Sequence, residues 1–183
     1  MSHKLPTVAI IGQANVGKSS LFNRLTRART AIVAREAGTT RDNVVGKVSY
    51  KRHTSSPDEA SQAEFWLIDT AGLKPAEDEF EATIQDQIAD ASAAADVILV
   101  MVDSTVYPSD ADRQLAKKAL KSGKPVLLIA NKADLKGSLH TDEFKRLGIK
   151  TIIKTSAEHN IGISELLDNI ADLIPPATQT EAD

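Results

Sequence analysis

One eight-residue segment constrains the fold of this chain more than any other feature. It runs from Gly12 to Ser19 and fits the pattern G-x-x-x-x-G-K-[ST] at every position. A short apolar run at 8–11 precedes it, and a stretch with apolar residues at helical spacing, about 18–26, follows it. This succession predicts a buried strand, a tight loop and a helix.

The residue types in this segment suit phosphate binding. Glycines let the backbone curl so that several N–H groups point into one concavity. Lys18 adds a charge for β- and γ-phosphates, and Ser19 offers a hydroxyl to Mg²⁺, which prefers oxygen ligands. The alternative is a glycine-rich turn that binds nothing. We predict that the phosphates of a nucleotide bind at Gly12, Gln13, Ala14, Asn15, Val16, Gly17, Lys18, Ser19 and Ser20.

Apolar runs alternate with amphipathic stretches along the rest of the chain. Strands are predicted at 8–11, 44–50, 64–68, 97–102, 126–130 and 151–153, the second and third forming a hairpin. Helices are predicted at 18–26, 82–95, from Ser109 to near Gly123, and at 165–174. The polar stretch 30–41 has no clear periodicity. The alternation predicts an α/β fold with a mostly parallel six-stranded sheet, one antiparallel strand, and helices on both faces.

Composition excludes several classes of function. The 183 residues suit one domain, predicted at 1–175, with a polar linker or disordered tail at 176–183. The chain has no cysteine, so disulfides, cysteine-ligated zinc and a cysteine nucleophile are excluded. A net charge of −3 gives no bulk attraction to nucleic acid. The longest apolar run, 97–102, is too short to span a membrane, and no secretory signal is recognisable, so a cytoplasmic location is expected.

Two further motifs follow predicted strands. Asp69-Thr70-Ala71-Gly72 places a carboxylate where ligands bind in open α/β sheets, so Asp69 is predicted to hold magnesium. Gly72 would let its N–H approach a γ-phosphate. Asn131-Lys132-Ala133-Asp134 follows the next-to-last strand. The Asp134 carboxylate can accept two hydrogen bonds from the N1–H and N2–H₂ edge of guanine. Lys132 would lie along the base. Asn131 would tie this loop to the phosphate loop, Gly12 to Ser19.

Two weaker motifs complete the pattern. Thr155-Ser156-Ala157 follows the last strand, and backbone N–H groups there could donate to guanine O6. Ser156 and Ala157 are therefore predicted to contact the base. In Gly38-Thr39-Thr40-Arg41-Asp42, a threonine hydroxyl can complete a magnesium shell, and Thr40 is favoured over Thr39. By itself the first of these motifs carries little information, because Ser and Ala are common in any loop. The alternative is a solvated loop for the second, and an ordinary polar loop for the Asn131-to-Asp134 motif.

The order of these motifs is similar to that of the translation-factor-related GTPases, over residues 5–174. Residues 15–25 resemble the bacterial GTPases grouped as TrmE, Era and EngA. Residues 31–34, followed by 38–42, resemble EngA, also called Der. That resemblance predicts an arginine or proline near Gln13-Ala14, and neither is present.

The resemblance implies a P-loop NTPase fold of the Ras-like type and a magnesium-dependent GTPase that switches between GTP and GDP forms. In the intact Der family, that switch controls association with the large (50S) ribosomal subunit during assembly. Der continues with a second GTPase domain and a KH-like domain, so this chain resembles an isolated first domain. The alternatives are a TrmE- or Era-like role in tRNA modification or small-subunit assembly, a weakly catalytic nucleotide sensor, and an ATP-dependent kinase-like protein.

The expected catalytic residues are Lys18, Thr40 and Gly72, and the expected magnesium ligands are Ser19, Thr40 and Asp69. Ras-like enzymes place a glutamine directly after D-x-x-G, where this chain has Leu73. A leucine cannot orient water, so backbone groups or a carboxylate such as Glu77 or Asp78 would do so. In TrmE-like relatives a potassium ion is held by a P-loop asparagine, which Asn15 matches. The alternative for Asn15 is a turn-capping residue.

Overall fold

The computed structural model describes residues 5–26, 32–35, 42–52, 62–70, 88–89, 91 and 93–174, with backbone only for 32–35 and 42–44. Its strands are β1 (Thr7–Gly12), β2 (Ile32–Arg35), β3 (Asp42–Lys51), β4 (Gln62–Asp69), β5 (Val97–Asp103), β6 (Val126–Asn131) and β7 (Ile152–Lys154). Its helices are α1 (Lys18–Thr26), α2 (Asp110–Lys121), a 3₁₀ helix (Thr141–Leu147) and α3 (Ile163–Leu173). Of the described residues in the predicted helix at 82–95, residues 88–89, 91 and 93–94 are helical and Ala95 is not.

The strands form one sheet in the order β2-β3-β4-β1-β5-β6-β7. β3 is antiparallel to both of its neighbours, and the five strands from β4 to β7 in that order are parallel. The six predicted strands, with the hairpin and the single antiparallel strand, are therefore confirmed.

The sheet has a seventh strand, β2, in the stretch where no strand was predicted. It pairs along β3 from Ile32 opposite Val45 to Arg35 opposite Asp42. Its apolar part is only the four residues 31–34 within a polar stretch, which is too short to give a clear period. Pairing with β3, which an isolated segment lacks, specifies this edge strand.

Helices cover both faces of the sheet, as predicted. α1 and α3 bury Leu21, Phe22 and Leu166 against one face. α2 buries Leu115 and the 3₁₀ helix buries Phe144 against the other. All six residues of β1 are buried because the strand has neighbours on both edges and helices on both faces. Each large apolar side chain buried in this way contributes about 1.5–3 kcal/mol.

The predicted start and end of α2 are confirmed. Ser109 Oγ accepts from Asp112 N at 3.2 Å, and Asp112 Oδ2 accepts from Ser109 N at 3.0 Å, a reciprocal capping box. The helix ends at Lys121, and Gly123 follows with a φ of 76°.

The parallel strands bring polar residues to one edge of the sheet. Gly12 pairs with Met101 near the end of β5, and Asp103 ends that strand opposite Asn131 of β6. Asp69 ends β4, beside β1. The carboxyl edge of the sheet therefore carries every described motif that the sequence singles out. None of the helices in the described ranges is long and apolar enough to cross a membrane.

Candidate nucleotide-binding site

The loop from Gly12 to Ser19 has a conformation that its glycines permit. Gly17 has a φ of 104°, and a Cβ there would lie 2.2 Å from Asn131 Nδ2. A Cβ at Gly12 would lie 2.7 Å from the backbone oxygen of Met101. Any larger residue at Gly17 would be strained and would also collide with a buried side chain.

The Lys18 side chain folds back onto the start of the phosphate loop. Its side chain is buried, and the ammonium donates to Gly12 O at 2.7 Å and to Gln13 O at 2.6 Å. These contacts hold the positive charge of Lys18 at the N-terminus of α1, where backbone N–H groups also favour anions. The loop therefore places the Lys18 charge and the N–H groups of the helix start together at the end of β1, where the sequence predicts phosphate binding.

Asp69 and Ser19 lie next to each other at the end of β4. The Asp69 carboxylate is 2% exposed, and its Oδ2 lies 3.5 Å from Ser19 Oγ, longer than the roughly 2.7 Å of a usual O–H···O bond. Thr70 Oγ1 donates to Ile10 O at 3.1 Å and ties the end of β4 to β1. A hydroxyl beside a carboxylate is an oxygen donor set that fits Mg²⁺.

The described residues contain no group of three or more His, Cys, Asp or Glu side chains that could hold a metal ion. A magnesium ion beside Ser19 and Asp69 would therefore take most of its ligands from phosphates and water, which is usual for this ion. The residues present fit magnesium bound together with a nucleotide better than magnesium bound alone.

Asn131 joins three loops through one buried amide. Its Nδ2 donates to Val16 O at 2.9 Å, which is the link to the phosphate loop that the sequence predicts. Its Oδ1 accepts from Thr155 Oγ1 at 3.0 Å and from Ala157 N at 3.1 Å. The second link, to the loop after β7, was not predicted. Because the side chain is 4% exposed, losing either link would leave buried polar atoms unpaired.

Lys132 is held by a carboxylate that the sequence analysis did not single out. It has a φ of 65°, and its Nζ lies 3.0 Å from Asp103 Oδ2. Asp103 Oδ1 accepts from the backbone N and the hydroxyl of Thr105, at 2.9 and 2.6 Å. Although partial burial acts to raise it, the hydrogen bonds from Thr105 and Lys132 hold the pKa of Asp103 below its usual value. Its signal in the sequence was an aspartate ending an apolar run, the same placement as Asp69.

Asp134 borders a cavity of about 180 Å³. Residues from the phosphate loop, from the Asn131-to-Asp134 motif and from the loop after β7 share this cavity. They are Gly17, Ser20, Asn131, Lys132, Asp134, Leu135, Ser156, Ala157 and Glu158. His159 Nε2 lies 3.3 Å from Asp134 Oδ2, so a side chain from the loop after β7 also contacts that carboxylate. Three separate motifs of the sequence therefore meet around one small space.

The backbone of the loop after β7 is already well paired. Thr155 N donates to Ala130 O, Ser156 N donates to Ile161 O, and Ala157 N donates to Asn131 Oδ1. Of the predicted donors to guanine O6, the Ser156 N–H already donates to Ile161 O and the Ala157 N–H already donates to Asn131 Oδ1. The following N–H, that of Glu158, has no partner among the described residues. The sequence analysis did not single out Glu158.

Gln13 links the phosphate loop to α2. Its Nε2 donates to Ser109 Oγ and to Asp112 Oδ1, both at 2.7 Å, so one amide contacts both side chains of the capping box. The sequence gives no signal for this contact, because the partners lie 96 and 99 residues away.

Several predicted site residues lie outside the described part of the chain, and their roles stay predictions. They are Thr39, Thr40, Ala71, Gly72, Leu73, Glu77 and Asp78. The proposed tail, 176–183, also lies outside it. Asn15 is described, with an exposed side chain and a φ of 65°, which fits both a turn residue and an ion ligand.

Comparison with known proteins decides the family. Residues 7–132 match the family described as 50S ribosome-binding GTPase. The chain belongs to this GTPase family. Curated relatives are Der proteins: that of Gemmatimonas aurantiaca is 39% identical over 98% of this chain, and that of Cytophaga hutchinsonii is 41% identical over 89% of it. These similarities confirm the resemblance to Der. The chain spans 39% and 36% of the length of these two relatives.

Solved structures of GTPases share the fold. A variant of Era from Aquifex aeolicus, bound to GDP and an aluminium fluoride, is 29% identical with a TM-score of 0.68, covering 94% of this chain and 57% of that one. The G domain of the FeoB iron transporter from T. maritima is 27% identical with a TM-score of 0.66, covering 93% of this chain and 99% of that one. The predicted Ras-like G-domain fold is thereby confirmed.

Proposed function

We propose that this chain binds and hydrolyses GTP and acts as a switch between its GTP and GDP forms. The observation that carries the proposal is the Asn131 junction. One buried amide holds the phosphate loop, the strand end that carries Asp134 and the loop after β7 around a single cavity. Phosphate groups and a base can therefore be held at fixed separation, which is what recognition of a whole nucleotide needs.

Guanine is the base that this arrangement favours. The Asp134 carboxylate has only acceptors, and guanine presents adjacent N1–H and N2–H₂ donors, whereas adenine presents no such pair. Adenine offers the Asp134 carboxylate no such donors, and a mismatch of this kind is costly. Recognition of this kind favours a GTPase over an ATP-dependent kinase-like protein.

Phosphate binding falls to the loop and Lys18. Backbone N–H groups at the start of α1 and the buried ammonium would neutralise the phosphates and hold the γ-phosphoryl group in place. Ser19 and Asp69, with Thr40, would hold Mg²⁺. The bound ion supplies charge neutralisation to the β- and γ-phosphates. Gly72 would report the presence of the γ-phosphate through its N–H.

Because the Leu73 side chain cannot form a hydrogen bond, other groups would have to orient the attacking water. The exposed Asn15 side chain, on a backbone with a φ of 65°, is our candidate ligand for a potassium ion that adds positive charge at this site. The proposal requires GTP turnover to be faster in potassium chloride than in sodium chloride of equal ionic strength. Equal turnover in both salts would remove potassium from the mechanism.

We infer that the switch serves assembly of the large ribosomal subunit. The family description, which names 50S binding, and the similarity to Der proteins support this role over a TrmE- or Era-like one. The chain corresponds on this view to the first GTPase domain of Der, with a second GTPase domain and a KH-like domain as neighbours in the intact protein. Its net charge of −3 leaves most RNA contact to those neighbours.

The experiment that tests guanine recognition is the variant Asp134→Asn. An asparagine amide presents a donor where the carboxylate accepts, so it mismatches guanine and suits xanthine, which has a carbonyl at C2. We expect GDP affinity to fall by about 100-fold or more and XDP affinity to rise, measured by titration calorimetry. The matched control is Asp142→Asn, an exposed carboxylate on the 3₁₀ helix. Unchanged selectivity in Asp134→Asn would contradict the proposal.

A further inference from the structure

Arg24 makes a long-range contact that none of the motifs explains. It lies on α1, the helix that begins with Lys18 and Ser19. Its Nε donates to Ala157 O at 2.8 Å, and its Nη2 donates to Glu158 O at 2.7 Å. These acceptors are 133 and 134 residues away in sequence. One planar guanidinium thus spans two successive carbonyls of the loop after β7.

The contact fixes a particular peptide unit. Ala157 is held from two sides, because its N–H donates to Asn131 and its C=O accepts from Arg24. The C=O and the following N–H of a trans peptide point in opposite directions. Holding Ala157 C=O therefore also sets the direction of the Glu158 N–H, which has no partner among the described residues and belongs to a residue that lines the 180 Å³ cavity.

We propose that Arg24 is a positioning residue for base recognition: it holds the Ala157–Glu158 backbone so that the Glu158 N–H is preorganised for the O6 atom of the base. This inference rests on the proposed guanine-nucleotide function. It adds a direct link between the helix that carries the phosphate-binding Lys18 and the loop that contacts the base. Preorganised donors bind more tightly because less ordering is left to be done on binding.

The residue type matters for this role. Arginine presents a rigid fork of donors, whereas lysine presents a compact charge on a flexible stem. Arg24 is exposed, so its replacement removes the two hydrogen bonds without opening a cavity in the core. Arg24→Lys keeps the charge but cannot match the paired geometry, and it should restore only part of the effect of Arg24→Ala.

The test compares two nucleotides that share the N1–H and 2-amino donors and differ only at position 6. GDP carries O6, and 6-thioguanosine diphosphate carries there a sulfur, which is a weaker hydrogen-bond acceptor, while keeping both phosphates. In Arg24→Ala we expect GDP affinity to fall about tenfold and the affinity for the 6-thio nucleotide to fall by only about twofold. In Arg24→Lys we expect an intermediate loss for GDP. The matched control is Arg113→Ala, an exposed arginine of α2 paired with Asp110.

The outcomes separate this inference from the proposed function. Failure of the unaltered chain to bind GDP would overturn both. Normal GDP binding by the unaltered chain, with equal losses for the two nucleotides in both Arg24 variants, would overturn the positioning role and leave guanine binding intact. The same holds if GDP affinity is unchanged in both variants. A selective loss for GDP in either folded variant supports the role, and thermal unfolding identifies which variants are folded.

Discussion

The two halves of the candidate site are built in opposite ways. The phosphate half is a single run of sequence, Gly12 to Ser19, whose shape depends on its own glycines and on Lys18 donating to Gly12 O and Gln13 O. The base half is assembled from separate strand ends and a distant helix, held together by Asn131 and Arg24. The first half is local and visible in the sequence, whereas the second depends on the whole fold.

The largest expected effect comes from a substitution in the phosphate half, at Gly17, that disturbs its contact with Asn131 of the base half. Gly17→Ala would force an unfavourable φ of 104° on alanine and place its Cβ 2.2 Å from Asn131 Nδ2. We expect nucleotide affinity to fall by more than about 100-fold, with a loss of about 2–4 kcal/mol in the free energy of unfolding. Calorimetric titration with GDP and urea unfolding measure the two quantities.

The matched control for Gly17→Ala is Gly137→Ala. Gly137 also has a positive φ, 90°, but nothing lies within 4 Å of a Cβ built there. It should show only the backbone strain, about 1 kcal/mol. Equal destabilisation by the two variants, with GDP binding retained in both, would contradict the role of the Asn131 contact.

Two substitutions of Asn131, with effects of intermediate size, distinguish its link to the phosphate loop from its link to the loop after β7. Asn131→Ala removes three buried hydrogen bonds and should lower the free energy of unfolding by about 3 kcal/mol, measured in urea. Asn131→Asp keeps the acceptor for Thr155 and Ala157 but loses the donor to Val16 O, so it breaks only the link to the phosphate half. We expect GDP binding to weaken in both variants.

The comparison for these variants is Asn169→Ala. This exposed asparagine of α3 donates to Glu165 O at 2.8 Å within its own helix. Its removal should change stability by less than about 0.5 kcal/mol. If Asn131→Ala were as mild, the junction would not hold the base half together.

The smallest effect concerns a link away from the site. Tyr50 on β3 donates to Asp168 of α3 at 2.7 Å. Partial burial and this hydrogen bond raise the pKa of Tyr50 from 10.0 to about 12. A raised pKa favours the neutral phenol in the folded state, so its stabilisation is present below pH 10 and is lost as the pH rises through 12.

Unfolding in urea across that pH range should therefore show a steeper loss of stability in the unaltered chain than in Tyr50→Phe. The control is Tyr107→Phe, which removes the exposed tyrosine of the β5–α2 loop and should leave the slope unchanged. It also leaves Tyr50 as the only tyrosine, so its ionisation can be followed by near-ultraviolet absorbance. A midpoint near pH 10 would show that the Tyr50–Asp168 contact does not form in solution.

The sequence predicted what depends on local pattern. Six strands, the hairpin, the start of α2 at Ser109 and the phosphate loop each have a signal within a few residues. β2 was missed because its four apolar residues form a strand only by pairing with β3. The motif residues Asp69, Asn131 and Asp134 could be placed at one edge of the sheet because each lies at or just after the end of a strand, and parallel strands bring their ends together.

The links between motifs could not be predicted in the same way. Gln13, Arg24 and Asp103 act through partners far away in sequence or through a register that only the folded sheet defines. Nothing in a glutamine of a loop or an arginine of an exposed helix face indicates which carboxylate or carbonyl it will meet. The candidate residues of the site were therefore visible in the sequence, whereas the contacts that join them were not.

The most direct test of the proposed function is the turnover of GTP by this chain, with ATP as the comparison substrate and magnesium present. Release of phosphate is followed for each nucleotide alone, in potassium chloride, with Asp142→Asn and Asp134→Asn in parallel. We expect measurable turnover of GTP, little or none of ATP, and loss of GTP turnover in Asp134→Asn alone. Equal turnover of GTP and ATP, or GTP turnover that survives Asp134→Asn, would contradict it.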